Sequence, residues 1–552
     1  MGSRRAPRWT SSCSSRSRGA GREGCAMFVP LTPLDYKRRA VRNFGDKIGV
    51  VDGERRFTYR EFGERADRLA GALRALDVAA GDRVAFITYN THHLLEAYYG
   101  VLQAGCVLTP INIRLSADEI AYVLEHSGAA VLVYHRDFQD LVDRVRPRAP
   151  RLRHLVILEG EDPEAHAYET LLARASPEPG PEISAVDENA ICELFYTSGT
   201  TGRPKGVALT HRSLALHALY FSVTMRMSDA DRVLHVVPLF HVNGWGTPQV
   251  LTAVGGTHVM LRKVVAQDIL RLVERERITV LLGVPSIYTM LVNEPTIGTF
   301  DLTSLRRAVS GGAPASPSLI RAMEEKLGCL CVVGYGLTET APLLSKALPK
   351  AHLGGTADDD LRRRSTTGFE VVGVDMRVVD GEGREVPPDG ATVGEIVARS
   401  NVVMEGYYRD PEGTAQAIRD GWFHTGDMAV VDAEGYVTIV DRKKDIIISG
   451  GENISSVEVE KIIAAHPAVF ECTVIAVPDE RWGETPKALI VLKPGQRATA
   501  EEIVGHCRRH LAGFKLPSSI EFRESLPKTG TGKIMKHELR EPYWRGYEKR
   551  VH

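Results

Sequence analysis

Paired cysteines, an excess of charge and long apolar runs are what this chain lacks. Its eight cysteines (Cys13, Cys25, Cys106, Cys192, Cys329, Cys331, Cys472 and Cys507) form no CxxC cluster. Neither a disulfide frame nor a zinc site is expected, and a reducing, cytoplasmic setting fits. Basic and acidic residues balance to a net charge of −1, so no field draws the protein to nucleic acid or anionic lipid. No apolar run approaches the ~20 residues of a membrane helix, and no integral membrane segment is expected. No internal repeat is visible. What remains is a globular composition spread over 552 residues. That is too long for one ordinary core, so two or more domains are expected.

Residues 1–26 stand apart, rich in Arg, Ser and Gly with Glu23 as the only acid. A transit peptide has that composition, but no apolar helix face runs through the stretch. The plainer reading is an upstream extension of the frame, with Met27 as the working start and a disordered tail before it. From Lys47 onward strands alternate with helices. Residues 48–51, 84–87, 107–110 and 130–134 read as strands, and capping boxes begin helices at Thr58 and Ser116. The pattern predicts α/β layers with parallel strands and binding at their carboxyl ends. Residues 160–187 read as a surface connection and 351–364 as a charged, solvated loop.

The most informative stretch is 196–206, Tyr-Thr-Ser-Gly-Thr-Thr-Gly-Arg-Pro-Lys-Gly. It follows an apolar strand and precedes a run that can be helical, which is the build of a phosphate cradle. Gly199 and Gly202 allow close backbone approach to an anion. Thr197, Ser198, Thr200 and Thr201 add hydroxyl donors, and Lys205 adds a positive charge. It is not a Walker A loop, because Pro-Lys-Gly stands where Gly-Lys-Ser/Thr is required. Further on, residues 332–340 deliver Tyr335, Thr338 and Glu339 from a buried strand. A tyrosine ring can stack on a base, a threonine can bond a phosphate, and one carboxylate suits Mg²⁺. Asp427 is suited to accept both hydroxyls of a ribose, with Arg442 beside it. Gly311 and Gly312 follow a strand and would let a planar base or an acyl chain lie on backbone. Residues 404–408 read as structural.

Residues 197–206 resemble the phosphate-binding signature of the adenylate-forming superfamily: acyl- and aryl-CoA synthetases, peptide-synthetase adenylation domains and beetle luciferases. Residues 334–340, 421–427, 440–445, 446–454 and 526–534 resemble further family blocks in the same order. The resemblance implies a large N-terminal multi-layer α/β domain (27–440) and a small C-terminal α+β domain (441–552), with a hinge at Lys444. It implies ATP, Mg²⁺ and CoA as partners, with Thr197, Ser198, Gly199, Thr200, Thr201, Gly202, Lys205, Gly312, Ala313, Tyr335, Gly336, Thr338, Asp427, Arg442 and Lys533 at the nucleotide. Glu339 falls at the metal. Lys533 reaches the carboxylate and α-phosphate in the first half-reaction, and Ser449, Gly450 and Gly451 line the CoA channel in the second. Residues 240–245, Phe-His-Val-Asn-Gly-Trp, look most like the fatty-acyl version of the acyl wall. That gives His241 and Trp245, with Gly311 and Gly312, to the acyl pocket, and the resemblance implies Lys533, Thr338, Glu339 and His241 as the catalytic residues.

The expected activity is therefore an ATP-dependent acyl-CoA synthetase acting on a medium- or long-chain fatty acid, with a homodimer possible. The sequence leaves open a CoA ligase for a short thioether or aryl acid. Less favoured are a luciferase-like oxygenase and a non-catalytic nucleotide-binding relic.

Overall fold

The computed structural model describes residues 28–178, 180–197, 204–442, 445–449, 452–479, 481–528 and 534–545. The N-terminal tail lies outside the described residues, as do Ser198, Gly199, Thr200, Thr201, Gly202, Lys444, Gly450, Gly451 and Lys533. Two large mixed sheets form the body. One has eight strands in the order Gly406–Tyr407, Lys205–Thr210, Ile191–Thr197, Val107–Pro110, Arg83–Ile87, Ala129–His135, His154–Leu158, His166–Ala167. The other has nine, and its consecutive parallel members include Val280–Gly283, Arg307–Ser310 and Leu330–Gly336. A third, antiparallel sheet includes Gly394–Ser400, Trp422–Val431 and Val437–Arg442. A separate five-stranded sheet around Val469–Asp479 and Gly483–Leu492 builds the small C-terminal domain, with its own buried core.

The helix His92–Gln103 is buried along its whole length, and its polar side chains His92 and Glu96 are paired with Asp52 and Arg65, as buried polar groups require. Tyr98 and Tyr99 donate from it to the carbonyls of Leu239 (2.5 Å) and Pro248 (2.9 Å). It thereby ties its layer to the segment that follows the strand Arg232–His235 of the nine-stranded sheet. Capping boxes do form at Thr58 and Ser116, because each Ser/Thr–Glu pair satisfies two orphan N–H groups reciprocally.

Four expectations need correction. The sheets are mixed rather than parallel throughout, because hairpins and edge strands run antiparallel. The phosphate-loop stretch is not strand–loop–helix. The strand Lys205–Thr210 returns antiparallel to Ile191–Thr197 before the helix His211–Met225 begins. Within 160–187 lies the helix Tyr168–Arg174, anchored by buried Tyr168 and Leu172. Within 351–364 lies the helix Ala357–Arg364. Its capping box at Thr356 and the ion pair of buried Arg363 with Glu434 (2.7 Å) give an otherwise polar run something to fold against.

Candidate active site

The strand Leu330–Gly336 and the 3-10 turn Thr338–Thr340 carry the centre of the site. Gly336 has to be glycine. A Cβ there would stand 1.5 Å from the carbonyl oxygen of Pro342, a distance no packing tolerates. Tyr335 precedes this tight passage and Glu339 follows it, and the two side chains have different partners.

Tyr335 donates its hydroxyl to Asp427 Oδ2 at 2.7 Å, and Arg442 Nε lies 2.5 Å from Asp427 Oδ1. Asp427 is 3% exposed and sits in the strand Trp422–Val431, not at a loop end. Its register partner on the neighbouring strand is Arg442. Burial raises the Tyr335 phenol well above its usual pKa, and the Asp427 carboxylate adds to the shift. Burial opposes the Arg442 charge, but Asp427, Tyr335 and Glu339 together outweigh it and hold that guanidinium above its ordinary value.

On the other side, Glu339 Oε1 accepts from the hydroxyl of Tyr407 at 2.8 Å, and its backbone carbonyl accepts from Met404 N. The Tyr407 ring lies 4.7 Å under Lys205 Nζ. Lys205 also pairs with Asp410 at 3.2 Å and stands opposite Thr197, next to the expected phosphate-binding stretch. Glu339, Tyr407, Lys205 and Thr197 are thus linked by contacts. Neither Tyr407 nor Asp410 stands out in the sequence, where 404–408 reads as structural. The signal was there in the adjacent tyrosines Tyr407 and Tyr408, but only strand pairing of Gly406–Tyr407 with Val207 and Ala208 puts them beside Lys205.

Trp245, Gly311 and Gly312, three of the four residues expected at the acyl pocket, lie together. A Cβ on Gly311 would lie 3.1 Å from the indole, and one on Gly312 3.7 Å from it. The bare backbone at 311–312 is therefore where the indole rests. His241 precedes the turn Val242–Trp245 as its N-cap, half-buried. Ala313 follows Gly312 on the same half-exposed turn, and Thr338 is buried beside Glu339. Ser449 lies in the small domain's sheet, paired with Glu452 and Gly483.

A second cluster with metal-ligand spacing, His92, His93 and Glu169, stands apart from these residues. Arg65 holds Glu169 by two hydrogen bonds (2.9 and 2.7 Å), and Asp52 Oδ2 pairs with His92 Nδ1 at 2.6 Å. It is an ion-pair network.

The model of the AMP-binding enzyme family matches residues 37–408, and that of its C-terminal domain matches 458–533. The chain belongs to the AMP-binding enzyme family. Within this adenylate-forming superfamily it is 41% identical to a long-chain-fatty-acid–CoA ligase of Thermus thermophilus, over 94% of this chain and 96% of that one. It is 38% identical to 4-hydroxybutyrate–CoA ligase 2 of Metallosphaera sedula, over 93% and 95% of the two chains. Among solved structures it is similar to the anthranilate CoA ligase AuaEII in complex with anthranoyl-AMP. That likeness has a TM-score of 0.86 at 29% identity and covers 94% of this chain and 98% of that one. These comparisons make this AMP-binding enzyme an AMP-forming acid–CoA ligase. They differ in the acid.

Proposed function

We propose that this AMP-forming acid–CoA ligase activates a medium- or long-chain fatty acid. A carboxylate oxygen attacks the α-phosphorus of ATP, giving acyl-AMP and releasing pyrophosphate. The CoA thiol then attacks the acyl carbon, and AMP leaves as acyl-CoA forms. Two contact chains that meet on residues 335–339 carry the reading. One runs through Asp427 to Arg442, the other through Tyr407 to Lys205. A carboxylate suited to a ribose and a cation beside the stretch 197–206 are thus both tied by contacts to the same short turn.

In this reading Asp427 and Arg442 hold the ribose, while Tyr335, Gly336, Gly312 and Ala313 border the base. Thr338, the loop 197–202 and Lys205 hold the phosphates. Lys533 offsets the charge that develops on the α-phosphate and carboxylate, a form of electrostatic catalysis. Glu339 fits Mg²⁺: it is a single carboxylate, oriented by Tyr407, and Mg²⁺ takes few protein ligands and keeps its waters and phosphate oxygens. When bound there, the ion offsets phosphate charge. For the second half-reaction the small domain turns about Lys444 and brings Ser449, Gly450 and Gly451 to guide the thiol. Cytoplasmic residence belongs to the same reading, supported by the free thiols of Cys106, Cys192, Cys329, Cys331, Cys472 and Cys507.

The fatty acid is supported by the apolar segment around Trp245 and by the Thermus relative. A short or aryl acid is the second reading, favoured by the indole resting on Gly311 and Gly312, where it shortens the space an acyl chain can take. Pyrophosphate release and CoA consumption, measured over a panel of acids, separate the two. Medium- and long-chain acids are expected to give the highest kcat/KM. Preference for an aryl or short hydroxy acid would overturn the fatty-acid assignment.

A further inference from the structure

Glu193 lies on the strand Ile191–Thr197, which runs straight into the phosphate loop, and is fully buried at 0% exposure. A buried carboxylate needs partners. Among the described residues its side-chain partners are two amides: Gln249 Nε2 at 2.8 Å and Asn243 Nδ2 at 3.3 Å. Both amides belong to the segment that carries Trp245. Asn243 lies in the turn Val242–Trp245, and Gln249 lies in the helix Thr247–Val254 that follows.

That turn is strained. Val242 (φ 35°), Asn243 (44°) and Trp245 (59°) all occupy the left-handed region, which is unfavourable for non-glycine residues. Asparagine tolerates that region; a β-branched valine and a tryptophan do not. Such a conformation persists only where its surroundings impose it. The carboxylate holds Asn243 at the middle of the strained run and Gln249 just past its end. Thr247 adds a hydrogen bond to the Gly244 carbonyl at 2.8 Å.

The opposite atoms of the same amides, Asn243 Oδ1 and Gln249 Oε1, are buried without a hydrogen-bond partner. Glu193 can therefore meet both residues whether or not it carries a proton. Ionised, it accepts from both. Protonated, it accepts from one and donates to the carbonyl of the other, turned about. Burial favours the protonated form and pushes its pKa up to about 8.

We propose that Glu193 is a positioning residue for acyl-chain selection. By gripping Asn243 and Gln249, it fixes where Trp245 stands over Gly311 and Gly312, and it joins the acyl wall to the strand that bears the phosphate loop. This rests on the reading of Trp245 as part of the acyl wall.

The test is steady-state kinetics of Glu193→Ala, Glu193→Gln, Gln249→Met and Trp245→Ala over an acid panel and over ATP. Glu193→Ala is expected to raise KM for the preferred acid about tenfold and to flatten the preference among chain lengths. KM for ATP stays within about twofold, because the ribose and phosphate contacts lie elsewhere. Glu193→Gln, which can accept from one amide and donate to the other, is expected to stay within about threefold of the parent for every acid. Gln249→Met shifts the acid preference in the same direction as Glu193→Ala and carries the test if that variant does not fold. An unchanged acid preference in the Glu193→Ala and Gln249→Met variants, with Trp245→Ala altering it, would overturn the role of Glu193 alone. Equal increases in KM for acid and ATP would do the same. An unchanged preference in Trp245→Ala would remove the acyl-wall reading and this proposal with it.

Discussion

Single side chains decide the chemistry, and each makes a distinguishable prediction. Asp427 has one oxygen toward Tyr335 and one toward Arg442, so its second lone pairs are already aimed. Asp427→Asn keeps the shape and loses the charge. It is expected to raise KM for ATP about tenfold or more while leaving KM for the acid nearly unchanged, which initial-rate kinetics would report. Tyr407→Phe frees Glu339 from its hydroxyl partner. The expected outcome is a higher Mg²⁺ concentration for half-maximal pyrophosphate release with folding intact; an unchanged Mg²⁺ dependence would count against Glu339 as the ligand. Glu193 gives a pH prediction. Its ordinary carboxyl pKa of 4.5 rises to about 8 on folding, by burial. The folded state thus holds the proton more tightly. Its contribution to stability is fully present below pH ~4.5 and is lost as pH rises toward ~8. Buried His217 and His235, both lowered to about 3 by burial, act in the opposite sense at acid pH, but they are common to parent and variant. Thermal melts of Glu193→Gln against the parent should therefore show a stability difference that moves in the variant's favour from pH 5 to pH 8. A constant difference would contradict the shift.

Elements made mostly of local signals were legible in the sequence; those made by pairing were not. The boxes at Thr58 and Ser116 announce their helices because the hydrogen bonds close within four residues. Thr58→Ala is accordingly expected to cost about 1 kcal/mol in denaturant unfolding, the price of one lost N-cap. The helix Ala357–Arg364 carries the same kind of box at Thr356. Six of its eight residues are Asp or Arg, a composition that points to a solvated loop, and its stability depends on Arg363 reaching Glu434 in a distant hairpin. The strand Lys205–Thr210 was hidden for a similar reason, since its ladder partners lie across the loop and at 406–407. The site shows the same division. Tyr335, Thr338 and Glu339 are readable because they sit in one short motif, whereas Tyr407 and Glu193 acquire their contacts only when separate strands and turns meet. Gly336 marks the boundary between the two. Its need for glycine comes from the approach of Pro342, and Gly336→Ala is expected to abolish both acyl-AMP formation and the cooperative melt of the large domain.

At the scale of the whole molecule, two separately cored domains are joined where the strand Val437–Arg442 gives way to Ile447–Ser449. The large domain holds Asp427, Tyr335, Glu339 and the paired strands Ile191–Thr197 and Lys205–Thr210, and the proposed function assigns Lys533 and the thiol channel to the small one. The two contributions belong to different half-reactions, so they should be separable. The direct measurement is to assay both halves in Lys533→Ala: acyl-AMP formation from ATP and a fatty acid, and transfer of acyl from supplied acyl-AMP to CoA. The expected result is a loss of ~10²–10³ in the first with the second close to the parent rate. Equal loss of both would contradict it.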